Sequence, residues 1–567
     1  MTLSVAQKYW EVRNPNPALQ QELCDALNIH PVIAQLLINR GVVTKQEAEA
    51  FLYADLSKLH DPFLLTDMDK AVQRIRKAQK NKERVFIFGD YDVDGVTSSA
   101  LLHTVLKEMG LAVVNHIPHR LNDGYGLNGN VAELAKKENA TLLITVDCGI
   151  TASAEVDLLN QNGIDVIILD HHEPPESGIP AALAVIDPKR KDCPYPFKEL
   201  AAVGLVAKLT QALSGKVLEE HLDLVALGTI ADVVQLRGEN RIFVNAGLPR
   251  LSDTKNKGLA ALIDVAKIKG KKFRPYYVGF ILGPRINATG RMDSARTSLD
   301  LLLCQNREDA YQLAQAMENL NSHRQKLQGS VIQEAFSIID REVNFNDHKV
   351  IILSKEGWHK GVLGIVASRV AETYYRPTIV ISVKDGVGTA SARSIKGFHL
   401  NEALAHCAHV LEEYGGHKLA AGLTIKEENI GQFRKLMNEF ATNILQIRDL
   451  VPTERIDAEI PLSSLSLDLI SKIDLLEPYG EGNPEPVFCS RNLTVMGPPA
   501  VLGKETLKFW VSDGETTISA VGFGKAKYRD LIGPGQKIDL AYQLTIDDWK
   551  KAPTVQLKIK DIRISQD

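Results

Sequence analysis

Between residues 84 and 190 the chain repeatedly runs through four to six apolar residues and then stops on an acidic one. RVFIFG leads into Asp90-Tyr91-Asp92-Val93-Asp94-Gly95, LLITV into Asp147-Cys148-Gly149, and VIIL into Asp170-His171-His172. Runs this short and this apolar predict strands buried on both faces, and the amphipathic stretches between them are of helix length. Such alternation predicts an α/β domain with a mostly parallel sheet covered by helices. Parallel sheets bind ligands just beyond the carboxyl ends of their strands, so the three acidic tips are expected on one functional edge.

The same pattern divides the rest of the chain. Residues 1–45 read as a helical lead-in, and AVQRIRKAQKNKE as an amphipathic helix before the first strand. Within a domain spanning 46–308, helices are expected over Thr97–Met109, Val131–Glu138 and Ala152–Asn162, and strands at LAVVNHI and Leu183–Ile186. An apolar helical segment, LDLVALGTIADVVQL, follows with Asp232 embedded in it. Asp309 to Asp340 carries no proline and one glycine, with Leu313, Leu320 and Leu327 every seventh residue, which predicts a long connecting helix over 309–345. A smaller α/β domain is expected over 346–450, with strands KVIILS, TIVISV and GTASAR and helices at Val362–Thr373 and Leu400–Tyr414. Its Ser391, Arg393, Gly415, Gly416 and His417 fall at element ends and suit a phosphate-binding surface. Over 455–567 the period becomes alternating, in LKFWVSDG, TTISAVGFG, KIDLAYQLTID and TVQLKIKDIRI, which predicts a small β-barrel of OB-fold size.

Composition narrows the class. The 567 residues, 44% of them hydrophobic, can bury several ordinary cores. The six cysteines are scattered without a Cys-x-x-Cys pair, so neither a disulfide framework nor a thiolate zinc site is indicated. The amino terminus lacks the apolar core of a signal peptide and no apolar run is of membrane-spanning length, so a soluble, cytoplasmic protein without a membrane partner is expected. The net charge of −4 decides nothing about nucleic acid, because local fields govern such binding.

Asp90-x-Asp92-x-Asp94-Gly95 also opens a calcium-binding EF-hand loop. Leu101 stands where that loop needs its bidentate glutamate, and a strand rather than a helix precedes it, which removes the alternative. Asp90–Asp94 as a solvated turn, His171-His172 as a hydrogen-bonded turn and Asp147 as a helix cap are each reasonable singly and improbable jointly. So many carboxylates on one edge need cations. Oxygen donors with one or two imidazoles suit Mn²⁺ or Mg²⁺, and two ions roughly 3.5–4 Å apart can activate water and stabilise a leaving oxygen in phosphodiester hydrolysis. Asp147, from the middle tip, is the candidate bridge, with Asp92 and Asp94 each facing one ion. Asp232 is expected as a further ligand, since burying it without a cation would be costly.

The ordered set DYDVDG, TVDCG, DHH and ALGTIAD resembles the DHH phosphoesterase superfamily. GPRINATGRMDSA, GWHKGVLGIVASR, SARS and YGGHKLAAG are similar to the RecJ exonucleases in particular, and the likeness covers nearly the whole chain in the family's domain order. The resemblance implies a metal-dependent 5′-to-3′ exonuclease that degrades single-stranded DNA to mononucleotides in recombination and repair. It implies Asp92, Asp94, Asp147, His171 and Asp232 as metal ligands, Asp90 as a ligand or its neighbour, and His172 beside the scissile phosphate. Asp94, Asp147, His171 and His172 would carry the catalysis. Arg120, Ser391, Arg393, Gly416 and His417 would hold DNA phosphates, while Arg285, Asn287 and Arg291 would contact the strand or order the interdomain wall. Phe509, Trp510 and Phe523 are the barrel aromatics; alternation puts Phe509 and Trp510 on opposite faces. Implied partners are single-stranded-DNA-binding protein and a RecQ-type helicase, with the chain itself a monomer. Competing readings are a DHH phosphodiesterase for short oligonucleotides or cyclic dinucleotides, which resembles a shorter chain, and a non-catalytic replication scaffold, which would tolerate loss of ligands. A type II pyrophosphatase is disfavoured because Phe88-Gly89-Asp90 replaces its histidine-containing first motif.

Overall fold

The computed structural model describes residues 8–119, 126–548 and 552–565. After a short strand β1 (Tyr9–Val12), the apolar runs become β2 (Arg84–Gly89), β3 (Ala112–His116), β4 (Leu142–Val146), β5 (Asp165–Leu169) and β6 (Ala184–Ile186). These five form an all-parallel sheet in the order β3-β2-β4-β5-β6. Every residue of β4 is buried, since one hydrophobic core lies on each face of the sheet. The order reverses at β2, so the switch point where such sheets bind ligands lies between the carboxyl ends of β2 and β4.

Helix α1 (Val93–Glu108) begins inside the acidic motif, four residues before the expected Thr97. The reason is a cap: Asp92 Oδ1 accepts the N–H of Asp94 at 2.9 Å and of Gly95 at 3.1 Å. Helices α2 (Ala202–Ser214) and α3 (Leu222–Ala231) pack against it. The expected helical run through LDLVALGTIADVVQL stops short, at Asp232, because Val233 takes a left-handed backbone (φ 62°).

Helix α4 (Gly283–Met292) precedes α5 (Arg307–Glu342), whose 36 residues span about 54 Å at 1.5 Å per residue. The buried seam of α5 is not the leucine heptad. Ala310, Ala314 and Met317 join the core of the first domain and Val331, Ala335 and Ile339 that of the second, with buried Asn321 and Arg324 between them.

The second sheet contains β7 (Ile351–Glu356), β8 (Thr378–Lys384), β9 (Val387–Arg393), β10 (Glu413–Gly416) and β11 (Ala420–Lys426), ordered β10-β11-β9-β8-β7. Only β7 and β8 pair in parallel, joined through α6 (Leu363–Tyr374). The helix expected over Leu400–Tyr414 ends at His406, and Glu413–Gly416 is instead the edge strand, drawn out by pairing with β11.

β12 (Thr453–Ile456) pairs in parallel with β1, which corrects the wholly helical reading of the lead-in. The partner lies more than 440 residues away, beyond any local periodicity. The two lead-in helices and the following Lys45–Leu52 helix pack into the core of the carboxyl-terminal barrel, where Leu23, Ile33, Leu36 and Phe51 join Leu469 and Phe488. That barrel closes in the order β14-β15-β16-β18-β17 and back to β14, with short β13 (Ala458–Glu459) alongside β14 (Phe488–Leu502). β15 is Thr506–Ser512, β16 Thr517–Gly522, β17 Lys537–Asp547 and β18 Thr554–Ile564. This is the OB-fold expected. β14 went unrecognised because Gly497-Pro498-Pro499 reads as a turn; the strand absorbs it as a register shift between Met496 and Ala500. Among the described residues no helix is long and apolar enough to cross a membrane.

Candidate metal centre

Adjacent strands β2, β4 and β5 deliver the three acidic tips side by side. Asp147 has a left-handed backbone (φ 64°), which costs a non-glycine residue about 1–2 kcal/mol and bends the chain sharply off β4. Its Oδ1 lies 3.2 Å from His171 Nε2, which lies 3.6 Å from Asp232 Oδ2. Two donor sets result, Asp90 with Asp92 and Asp147, and Asp94 with His171 and Asp232, each with ligand atoms within 4.8 Å of one another. Asp147 also groups with His171 and His172, so the clusters share it.

Asp94 is built into the fold twice. It sits in the first turn of α1, and its two oxygens accept the N–H groups of Ala202 (2.7 Å) and Val203 (2.9 Å) at the start of α2, whose own N-cap Ala201 offers no acceptor. The positive end of α2 thereby faces a buried carboxylate. Gly228 of α3 permits the approach: a Cβ there would lie 2.3 Å from Thr97 Oγ1 and 3.0 Å from Asp94 Oδ1.

Asp170 plays a different part from the other tips. Its Oδ2 accepts the Ile150 N–H at 2.9 Å, and its Oδ1 accepts the N–H groups of His171 (2.8 Å) and His172 (3.2 Å) and pairs with His172 Nδ1 at 2.7 Å. It orients the His172 ring. The strand-tip pattern gives Asp170 no role beyond that of the other carboxylates, although an aspartate directly preceding two histidines favours such local bonds.

The electrostatics follow from burial and crowding. Burial, then the neighbouring Asp92, holds Asp94 up at about 7. Burial, then the surrounding aspartates, raises Asp147 well above the carboxylate range and Asp232 to about 9. Burial, then His172, lowers His171 to about 3, which keeps the imidazole neutral and able to donate a lone pair. For His172 burial opposes charge, yet the Asp170 bond prevails and raises it. Asp147 Oδ1, His171 Nε2 and Asp232 Oδ2 are buried without a hydrogen-bond partner among the described residues. Divalent cations answer all three at once, and oxygen plus imidazole donors suit Mn²⁺ or Mg²⁺. Lys189, which no sequence signal singles out, adds positive potential at Asp232 and His171.

The second domain supplies the facing wall. His417 lines a cavity of about 530 Å³ together with His172, Asp170, Gly149 and Thr151 of the first domain. Gly416 (φ 139°) leads into it where a Cβ would lie 2.5 Å from the Ala420 carbonyl. Arg393 donates to the Ala392 carbonyl at 2.8 Å and sits 3.5 Å from Ser391 Oγ; a Cβ on Gly364 would touch both side chains. Arg291 donates to the Gly361 carbonyl across the domain boundary at 3.3 Å, and half-buried Asn287 shares its helix. Arg285 is bound to Glu318 of α5 at 2.5 Å. Arg120 lies outside the described residues. On the barrel Phe509 is 2% exposed and Trp510 41%, the opposition expected from alternation, and Phe523 is exposed.

Family models match three successive regions: the DHH family amino-terminal domain at residues 84–229, the DHHA1 domain at 347–443 and the RecJ OB domain at 456–561. The single-stranded-DNA-specific exonuclease RecJ of Bacillus subtilis (strain 168) is 37% identical over 98% of this chain and 71% of its own length. The Escherichia coli (strain K12) protein of the same name is 32% identical over 94% of this chain and 96% of its own. The crystal structure of RecJ in complex with Mn²⁺ from Thermus thermophilus superposes with a TM-score of 0.84 at 30% identity, covering 99% of this chain and 80% of that one. Matched along nearly its entire length, with the same succession of domains, the chain belongs to the RecJ family of single-stranded-DNA-specific exonucleases.

Proposed function

We propose that this chain hydrolyses single-stranded DNA from the 5′ end to mononucleotides, using two divalent cations, in the cytoplasm and in the service of recombination and repair. The observation that carries the reading is the pair of linked donor sets, one all-carboxylate and one with an imidazole, next to a cavity that His417 of the second domain shares with His172 and Asp170. Asp90, Asp92 and Asp147 would hold one ion and Asp94, His171 and Asp232 the other, with Asp147 shared between them. When bound, such ions polarise a phosphodiester and its attacking water.

The chain's own groups do the rest. Asp170 keeps His172 oriented and favours its charged form, which suits it to donate to a phosphate oxygen. Arg393, Ser391, His417 and Arg120 grip the terminal phosphate, Arg suiting this by its planar fork. Asn287, Arg285 and Arg291 order the wall between domains 46–308 and 346–450. The barrel, 455–567, holds the strand farther along by stacking on exposed Trp510. Single-stranded-DNA-binding protein and a RecQ-type helicase are the proposed partners of a monomeric enzyme. A shorter phosphodiesterase has no use for the barrel, and a scaffold has none for an intact donor set.

The test is digestion of end-labelled single-stranded and blunt duplex DNA, with Mn²⁺, Mg²⁺ or chelator, beside Asp94→Ala and oligonucleotides blocked at either end. Loss with chelator, with Asp94→Ala and with a blocked 5′ end is expected. Equal digestion of duplex, full activity in chelator, or sensitivity only to a 3′ block would refute the reading.

A further inference from the structure

The tip of β6 carries two cations that the metal centre does not use. β6 ends beside the Asp170-His171-His172 turn, where the Asp170 N–H donates to the Ile186 carbonyl at 3.2 Å. Asp187 follows, and its Oδ1 accepts the Lys189 N–H at 2.7 Å, which closes a tight turn. Arg190 is buried and already spent: it donates to Asp67 at 2.7 Å, to the Val185 carbonyl at 2.5 Å and to both oxygens of Asp192. Lys189 reaches instead to the residue after the two histidines, with its Nζ 3.3 Å from Glu173 Oε1.

That pairing is lopsided. The Lys189 side chain is 19% exposed and that of Glu173 75%, so a sheltered ammonium relies on a carboxylate standing mostly in water, and such pairs are worth little. Glu173 also lines the cavity of about 530 Å³ with Asp170, His172 and, from the second domain, His417. It belongs to none of the metal-donor groups among the described residues. A carboxylate there repels the phosphates that the exonuclease reading brings to His172 and His417, unless its charge is cancelled or it swings away. Lys189 does the cancelling, and its charge is also felt in the metal centre, at Asp232 and His171.

We infer that Lys189 is a substrate-binding residue: its ammonium takes a phosphate oxygen of the single strand beside His172, and Glu173 is the placeholder that this phosphate displaces. The inference rests on the exonuclease reading and adds to it one strand contact and an exchange of counter-ions. The exchange is cheap, because Glu173 returns to the water it already faces while the ammonium passes from one anion to another. Lysine suits the task as a point charge on a flexible stem that can follow the phosphate. A placeholder and a structural ion pair differ in sign. Removing either half of a structural pair weakens the same fold, whereas removing the placeholder frees the ammonium and strengthens strand binding.

The test is a double-mutant cycle of Lys189→Met and Glu173→Gln in the full chain. Affinity for a fluorescein-labelled phosphorothioate oligothymidylate, which resists cleavage, is measured with saturating Mn²⁺ over a potassium chloride series, beside the Tm of each variant. For Lys189→Met, Kd is expected to rise about tenfold, because one charge-assisted hydrogen bond to the strand is removed. The slope of log K against log salt should become shallower by about 0.7, the share of a single phosphate. For Glu173→Gln, Kd should fall about 1.5- to 5-fold, the worth of an exposed pair. That gain should vanish in the double variant, where no ammonium is left to free. A gain that persists there would mark Glu173 as a general repeller of DNA and overturn the exchange. Weaker binding and a lower Tm in both single variants would mark a structural pair and overturn the inference. Should Lys189→Met fold poorly, Glu173→Gln alone decides, since equal or weaker binding by it refutes the placeholder. Wild type that fails to bind the oligonucleotide would overturn the exonuclease reading and the inference with it; equal binding by wild type and Lys189→Met overturns the inference alone.

Discussion

Replacing Asp232 with Asn should make the metal-free protein more stable and the metal-loaded protein less so. Asp232 ends α3 with its Oδ2 buried and unpartnered, among Asp94, Asp92 and Asp90, and these surroundings lift it from the ordinary carboxylate value of 3.8 to about 9. A carboxyl whose pKa is higher folded than unfolded binds more protons in the native state, so stability falls as pH rises from about 4 towards 9. At pH 8 the carboxyl stands about four units above its usual ionisation, and at ~1.4 kcal/mol per unit the ceiling on the penalty is about 6 kcal/mol. Asp94 and Asp147 share that repulsion, and an asparagine is still a buried polar group, so a gain of about 1–3 kcal/mol is expected. For a domain of this size that moves the melting transition up by several degrees, at about 2–4 °C per kcal/mol. Differential scanning calorimetry in chelator at pH 8 and pH 5 measures it. The gain should shrink at pH 5, where both forms are nearer their protonated reference. With saturating Mn²⁺ the order should invert, because ion binding stabilises only a chain that retains its ligands. A variant that melts at or below the wild type in chelator at pH 8, or a difference independent of pH, would refute the account of this cluster as mutually repelling carboxylates.

Gly228→Ala places a methyl against Thr97 and Asp94; it should cost about 1–3 kcal/mol and lower nuclease rates more than tenfold, with circular dichroism unchanged. Glu239→Ala strands buried Lys208, bound at 2.9 Å, and removes the acceptor of Tyr195 and of the His60 N–H, so urea unfolding should show a loss of about 3–5 kcal/mol. Asp170→Asn removes the carboxylate whose bond raises the His172 pKa; the alkaline limb of the pH–rate profile should move to lower pH, and an unmoved limb would remove His172 from its proposed role. Trp510→Ala should weaken oligonucleotide binding by about 1–3 kcal/mol without lowering the Tm, whereas Phe509→Ala should cost the barrel about 3–5 kcal/mol.

The parts legible in the sequence are those whose physics is local or periodic. Strands β2, β4 and β5 announce themselves because a sheet covered on both faces needs unbroken apolar runs, and their acidic tips follow at once. Trp510 and Phe509 part company by simple alternation. What escaped depends on distant partners. β1 exists only because β12 lies beside it, β14 survives a Gly-Pro-Pro segment only because β15 and β17 hold it, and edge strand β10 is made by β11. The leucine spacing of α5 predicted the helix, whereas which of its residues are buried is set by where each domain's core meets it.

The metal centre shows why its residues could be named before their work was known. Asp92 caps α1, Asp94 caps α2, Asp170 ties β5 to the loop carrying Ile150, and Asp232 ends α3. Each of these four thus starts or ends a helix or joins a loop, and where its oxygens face the cluster it can also be a ligand. Capping draws on one lone pair of a carboxylate oxygen and leaves others free, so the two uses do not compete. The order DYDVDG, TVDCG, DHH, ALGTIAD is therefore also the order in which the elements of the first domain begin and end. A substitution at Asp92 or Asp94 should accordingly act on two observables together, metal affinity and the stability of a helix start, whereas one at Asp232 should set them against each other.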